Sequence, residues 1–281
     1  MLFEDRKYVF FDGAMGTMLQ KNGLKPGQRP DVMNITAPEV VENVHRMYVE
    51  AGSDIICTNT FGANADALEK TGYTPEEIIS AAIALAKRAS AGKAKVALDI
   101  GPTGQLLEPM GDLEVERAYE LFKQQAIAGE HAGADFAAIV TMSDIGELKA
   151  AILAVKENTN LPILATMSFD KTGRTFMGYT PEAFAQVAQD GGADAIGLNC
   201  SLEPQEMYET AEKIAAATTL PLIIKPNAGL PNKETGSYDT GAADFAEQMK
   251  PFAKIGAKIL GGCCGTTPEY IRELKRVFSN L

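Results

Sequence analysis

Eight short apolar runs alternate with eight longer stretches of helical periodicity along the 281 residues of the chain, and few folds accommodate that rhythm. The runs are Tyr8–Asp12, Asp54–Thr60, Lys95–Ile100, Phe136–Thr141, Pro162–Ser168, Ala195–Cys200, Pro221–Pro226 and Lys258–Cys263. Most are continuously apolar rather than alternating, as expected of parallel strands covered on both faces. Before several of them a similar turn recurs: Ala51-Gly52-Ser53-Asp54, Ala132-Gly133-Ala134-Asp135, Gly191-Gly192-Ala193-Asp194 and Ile255-Gly256-Ala257-Lys258. In each, a glycine ends a helix and the next strand follows at once. Helix starts are marked by Thr74-Pro75-Glu76-Glu77, Thr180-Pro181-Glu182 and Thr267-Pro268-Glu269, each an N-cap, a proline and an acidic first turn. The pattern predicts an α/β chain folded as one (β/α)8 TIM barrel over residues 1–281, with a doubly wound open sheet as the lesser alternative.

The longest irregular stretch, Gln20–Pro38, follows the first strand, and loops of that length are uncommon unless they have a function. A net charge of -11 argues against nucleic acid or an anionic membrane as the main partner. No run approaches the roughly 18 apolar residues of a membrane span. The first residues, Met1 to Lys7, lack the features of a secretory signal. Four cysteines are too few for a disulfide scaffold, and a reducing cytoplasm is the expected compartment.

In such a barrel the active-site residues come from the C-terminal ends of the strands. Those ends carry Asp12-Gly13, Thr58-Asn59-Thr60, Asp99-Ile100-Gly101-Pro102, Thr141-Met142-Ser143-Asp144, Asn199-Cys200, Pro226-Asn227-Ala228-Gly229 and Gly262-Cys263-Cys264. Polar residues and glycines thus collect at one rim. Three of the four cysteines, Cys200, Cys263 and Cys264, end two strands that flank a third. Three thiolates can hold one zinc ion and leave its fourth tetrahedral position open, the arrangement of a catalytic site. Adjacent cysteines on an unbroken strand point to opposite faces, so both reach one metal only where the flanking glycines break it. Other readings stand beside this one. The Gly261-Gly262 pair could form a phosphate loop, the cysteines could be small apolar residues, and Cys263-Cys264 could be a redox pair. Cys57 reads as core, and His45 and His131, inside helical stretches, as structural or surface residues.

These segments resemble the homocysteine S-methyltransferase family, and within it the homocysteine-binding barrel of cobalamin-dependent methionine synthases. The resemblance rests on Phe11-Asp12-Gly13-Ala14-Met15-Gly16-Thr17-Met18-Leu19-Gln20, Pro38-Glu39-Val40-Val41 and Thr58-Asn59-Thr60-Phe61-Gly62-Ala63-Asn64. It continues through Gly101-Pro102-Thr103-Gly104, Gly197-Leu198-Asn199-Cys200, Pro226-Asn227-Ala228-Gly229-Leu230-Pro231 and Gly261 to Pro268. It implies that Cys200, Cys263 and Cys264 bind zinc, that the homocysteine thiolate is a further ligand, and that Asp12 and Gly13 line the amino-acid pocket. Thr141, Asp144 and Asn199 are further candidates for substrate binding.

The resemblance also bears on the methyl donor. Branches using S-adenosylmethionine, S-methylmethionine or betaine commonly carry arginine after the double cysteine, whereas the corrinoid-dependent branch tends to carry glycine, as Gly265 does here. With no further module after Leu281, a methyl-corrinoid donor is expected on a separate protein. One departure concerns the substrate: where family members commonly have glutamate to hold the ammonium, this chain has Val140, followed by Thr141. Asp12 is the first candidate to substitute, with Asp144 beside it. The expected activity is zinc-dependent methyl transfer to a small-molecule thiol, homocysteine, to give methionine. Two alternatives remain: a methyltransferase for another thiol or one that loads a corrinoid protein in a demethylation pathway, and a non-catalytic zinc-binding or redox-sensing barrel.

Overall fold

The computed structural model describes residues 6–230 and 238–281. Met1–Asp5 and Pro231, the last residue of the Pro226–Pro231 motif, lie outside the described residues. Eight parallel strands form one sheet: β1 (Val9–Phe10), β2 (Ile55–Cys57), β3 (Lys95–Ile100), β4 (Phe136–Met142), β5 (Ile163–Met167), β6 (Ala195–Asn199), β7 (Leu222–Lys225) and β8 (Ala257–Leu260). Neighbours pair in chain order from β2 to β8, and β8 pairs with β1. A parallel bridge between Phe11 and Ile55 closes the remaining seam between β1 and β2. The sheet is a (β/α)8 barrel, not the open doubly wound alternative.

Alternation along the strands sorts the apolar residues into two cores. The barrel interior holds Val9, Phe11, Ile55, Cys57, Ala97, Phe136, Ala138, Val140, Leu164, Ala195, Ile223 and Ile259. The larger core lies between the strands and the surrounding helices. Cys57, expected to be core, belongs to the interior layer. His45 is fully buried in the helix Pro38–Ala51, and His131 is exposed at the end of the helix Val115–His131. Among the described residues no helix is long and apolar enough to cross a membrane.

Two of the three expected helix starts operate as read, whereas Thr267 stands at the N-cap of Pro268–Phe278 without a side-chain capping bond. Thr74 closes a full capping box with Glu77 at the start of the helix Pro75–Ser90. Thr180 accepts from the Ala183 amide ahead of Pro181–Gly191. Gly52 and Gly192 end their helices in the left-handed conformation, at φ 104° and 87°.

Several strands end earlier than the apolar runs suggest. Past Leu260 the Gly261 amide still donates to Ile224 on one side and the Gly262 amide to Asp12 on the other, so bonding to both neighbours continues up to the turn in which the Thr266 amide donates to the Cys263 carbonyl. β2 stops at Cys57, after which the Thr58 and Thr60 hydroxyls bond the Asp99 backbone in place of a ladder. β4 runs one residue past its expected end but is irregular between Ile139 and Met142, where Thr141 takes φ 60°. These departures all fall on the C-terminal rim, where side chains must leave the pleat to converge.

Candidate active site

The sulfurs of Cys200, Cys263 and Cys264 lie within 4.8 Å of one another at this rim, with 3.7 Å between Cys200 and Cys264. Among the described residues no other trio of His, Cys, Asp or Glu side chains converges in this way. All four cysteines are free thiols.

Backbone strain sets the trio in place. Cys200 follows β6 with φ 64° and Ser201 follows with φ 61°, left-handed values that side-chain-bearing residues rarely adopt. The Cys200 amide is held by the Lys225 carbonyl at 3.1 Å. On the β8 side, the Cys263 amide donates to the Pro226 carbonyl and the Cys264 carbonyl accepts from the Ala228 amide. The Thr266 hydroxyl ties back to the Cys263 carbonyl at 2.7 Å. Cys263 therefore keeps the bonding of the strand, the turn after it frees Cys264 from strand alternation, and both are anchored to the extension of β7. The close approach also needs Gly13, where a Cβ would sit 2.6 Å from the Thr266 hydroxyl.

The donor set suits a soft divalent cation. Side-chain hydrogen bonds from Cys263 and Cys264 pull the Cys200 thiol down to about 3, whereas the same contact pushes Cys264 up to about 11 and Cys263 well above its usual value. A bound metal ion would take all three as thiolates, displacing the protons they carry.

The trio lines one side of a cavity of about 280 Å³. Asp12, Gly13, Thr141 and Asn199 line it as expected, and so do Cys57, Thr58, Thr60, Asp99, Val140 and Lys225. Asn199 is fully committed: its Oδ1 accepts from the Thr141 amide and the Thr166 hydroxyl, and its Nδ2 donates to Thr141 Oγ1 and faces Cys263 Sγ at 3.7 Å. It braces the site rather than offering free polar atoms to a ligand. Asp144, a candidate from its place after β4, is not among the cavity residues; its carboxylate caps the helix Ile145–Asn158 by accepting from the Glu147 amide at 3.0 Å.

The charged floor of the cavity was not foreseen. Lys225, at the end of β7, is buried with its ammonium 3.7 Å from Asp12 Oδ1, 3.9 Å from Cys57 Sγ and 4.2 Å from the centre of the Phe11 ring. Burial alone would pull the lysine down, but the Cys57 sulfur and the Asp12 and Asp99 carboxylates outweigh it and hold the ammonium above its usual range. Burial raises Asp12 to about 6 and Asp99 to about 7, with Lys225 opposing both shifts. The only sequence signal for Lys225 is its position two residues after the inward-facing Ile223, which puts a charge on the interior face.

At the mouth, Gly265 has φ 84°, and a Cβ there would lie 2.3 Å from the Tyr238 ring. Any side chain at 265 needs both a strained backbone and a displaced tyrosine.

Comparison with known proteins agrees with this geometry. A family profile described as homocysteine S-methyltransferase matches residues 9–278. Methionine synthase from Mycobacterium tuberculosis is 32% identical over 96% of this chain and 24% of its own length. The Mycobacterium leprae methionine synthase is 31% identical over 94% of this chain and 24% of its own. The chain thus spans about a quarter of the length of these curated relatives. The crystal structure of the Escherichia coli homocysteine methyltransferase MmuM in its metallated form superposes with a TM-score of 0.83 at 23% identity, covering 98% of both chains, and shares the fold. The profile, the relatives and the barrel agree, and the chain belongs to the homocysteine S-methyltransferase family.

Proposed function

We propose that the chain transfers a methyl group to the sulfur of homocysteine, giving methionine, with a zinc ion held by Cys200, Cys263 and Cys264 and a methyl-corrinoid as donor. The observation that carries this reading is the convergence of three free thiols within 4.8 Å on the wall of a cavity with a charged floor. The names of the relatives support methionine as product, and the resemblance at Gly265 to the corrinoid-dependent branch supports the donor.

A zinc ion bound there would supply Lewis acidity that keeps a substrate thiol deprotonated near neutral pH, where a free thiol with a pKa of about 8.5 is mostly protonated. The protein's own groups do the rest. The strained turn at Cys200 and the anchored Cys263-Cys264 pair hold three electron-rich sulfurs on one side of the cavity. Asn199 and Thr141 fix the adjoining wall. Asp12, Asp99 and Lys225 provide charges on the floor for the amino-acid end of the substrate. In the transfer a carbon–sulfur bond forms as the donor–methyl bond breaks, and the thiol proton has already left. No protein general base is required at the sulfur.

The test is methionine formation by the metal-loaded chain with homocysteine and either methylcobalamin or S-adenosylmethionine. Methylcobalamin is expected to support turnover at least about tenfold faster, a barrier difference of about 1.4 kcal/mol. Faster turnover with S-adenosylmethionine would overturn the donor assignment, and no methionine from either would overturn the substrate assignment.

A further inference from the structure

We propose that Asp99 is the specificity-determining residue that receives the α-ammonium of the substrate, while Lys225 withholds Asp12 from that task. The inference rests on the homocysteine reading above and deepens it.

The two acids of the floor differ in what they have free. Asp12 Oδ2 accepts from the Cys57 amide at 2.7 Å, and its Oδ1 faces the Lys225 ammonium at 3.7 Å. Oδ1 makes no hydrogen bond, and its ion pair with Lys225 is what sets Asp12 apart from Asp99. Asp99 has its backbone clamped instead: its amide donates to Thr58 Oγ1 at 3.1 Å and its carbonyl accepts from Thr60 Oγ1 at 2.7 Å. The two threonine hydroxyls lie 2.7 Å apart, so Thr58 donates to Thr60 and the donor chain is complete. This fixes where the Asp99 side chain starts, yet its Oδ1 is shielded from solvent and has no hydrogen-bond partner.

A shielded, unpaired carboxylate oxygen is costly and uncommon, and in a ligand cavity it marks a place where the ligand supplies the partner. Charge points the same way. Two carboxylates share one lysine on the floor, so the ionised site carries one surplus negative charge. The α-ammonium of a thiol amino acid opposes this surplus locally, while its α-carboxylate must be met elsewhere in the cavity. The neighbouring strand adds no competitor: Asp99 pairs across from Ala138, and Val140, two residues farther along the same inward face, is apolar. The acid missing at Val140 is thereby replaced from β3.

The test uses the metal-loaded chain and calorimetric binding of two ligands: L-homocysteine and 4-mercaptobutanoate, which has the same carbon chain and carboxylate but no amino group. The parent is expected to prefer homocysteine by ten- to a hundredfold. Asp99→Asn should bind both equally with unchanged metal content, and Val140→Glu added to Asp99→Asn should restore the preference. Val140→Glu alone should change homocysteine affinity by less than about threefold, since its partner is already present. This last measurement serves if Asp99→Asn does not fold.

A folded Asp99→Asn protein that keeps its preference overturns the assignment and leaves the homocysteine reading intact. So does a gain of tenfold or more from Val140→Glu alone. Equal binding of both ligands by the parent instead overturns the homocysteine reading, and the role of Asp99 with it.

Discussion

Replacing Cys200, Cys263 or Cys264 by alanine is expected to weaken zinc binding by about a thousandfold or more and to abolish homocysteine methylation. Structural zinc sites bind with apparent free energies of about 10–16 kcal/mol, so one ligand among three or four accounts for several kcal/mol. A loss of about 4 kcal/mol is a thousandfold. Metal content after gel filtration, followed by competition with a chromogenic chelator, measures the change. Cys57→Ala is the control: this thiol lies in the barrel interior, burial raises it well above its usual value, and Lys225 rather than the trio is its neighbour. It should retain about one metal per chain. The barrel should stay folded in all four variants, because two extensive apolar cores hold it without the metal. Full metal occupancy in any of the first three would remove that cysteine from the ligand set.

The barrel and the cysteine trio were legible in the sequence because both are written in local signals. The alternation of apolar runs and helices and the glycine turns before strands each need only a few consecutive residues to be read. Strand bounds were less legible. Leu260 is followed by residues that still look extended and whose amides still bond both neighbours, and only the turn closed by the Thr266 amide on the Cys263 carbonyl shows where the chain leaves the barrel wall. Asp144 illustrates a competing signal. An acid three residues ahead of Glu147 is an N-cap pattern, and the helix takes Asp144 Oδ1 for its cap. Gly265 is a further lesson. Its left-handed backbone and the Tyr238 ring account for the glycine by themselves, so its value as a donor marker is secondary to its packing.

The charged floor was hidden for a different reason: its meaning lies in distances between strands. Asp12 on the extension of β1, Asp99 on β3 and Lys225 on β7 are far apart in sequence; the resemblance placed Asp12 in the pocket, but Asp99 and Lys225 read singly as ordinary strand-end polar residues. Only barrel closure brings them around one cavity. The same closure makes their charges interdependent, and that dependence can be measured.

Lys225→Met is expected to destabilise the metal-free protein by about 3–5 kcal/mol at pH 8, the usual consequence of removing one partner from a buried charge pair. Methionine keeps most of the side-chain stem beside Phe11, so the change is chiefly electrostatic. The pH dependence identifies the cause. Asp12 and Asp99 already have folded values of about 6 and 7, above the ordinary 3.8, because of burial. A raised acid holds its proton more tightly in the folded state, so its destabilising effect is absent below about pH 4. That effect grows as pH rises through the folded value and is constant above it. Without Lys225 both acids move higher still, and the loss deepens over the same rise. Near pH 4 both carboxylates are protonated and the parent lysine is a buried cation without an anion, so the variant should be no less stable than the parent there. Urea unfolding at pH 4 and pH 8 gives the two differences directly. Adding Asp99→Asn to Lys225→Met should recover at least about 1 kcal/mol at pH 8, because it removes an acid that no longer has a cation to oppose it. A difference between parent and variant that is the same at both pH values would assign the lysine to packing rather than to the charge balance of the floor.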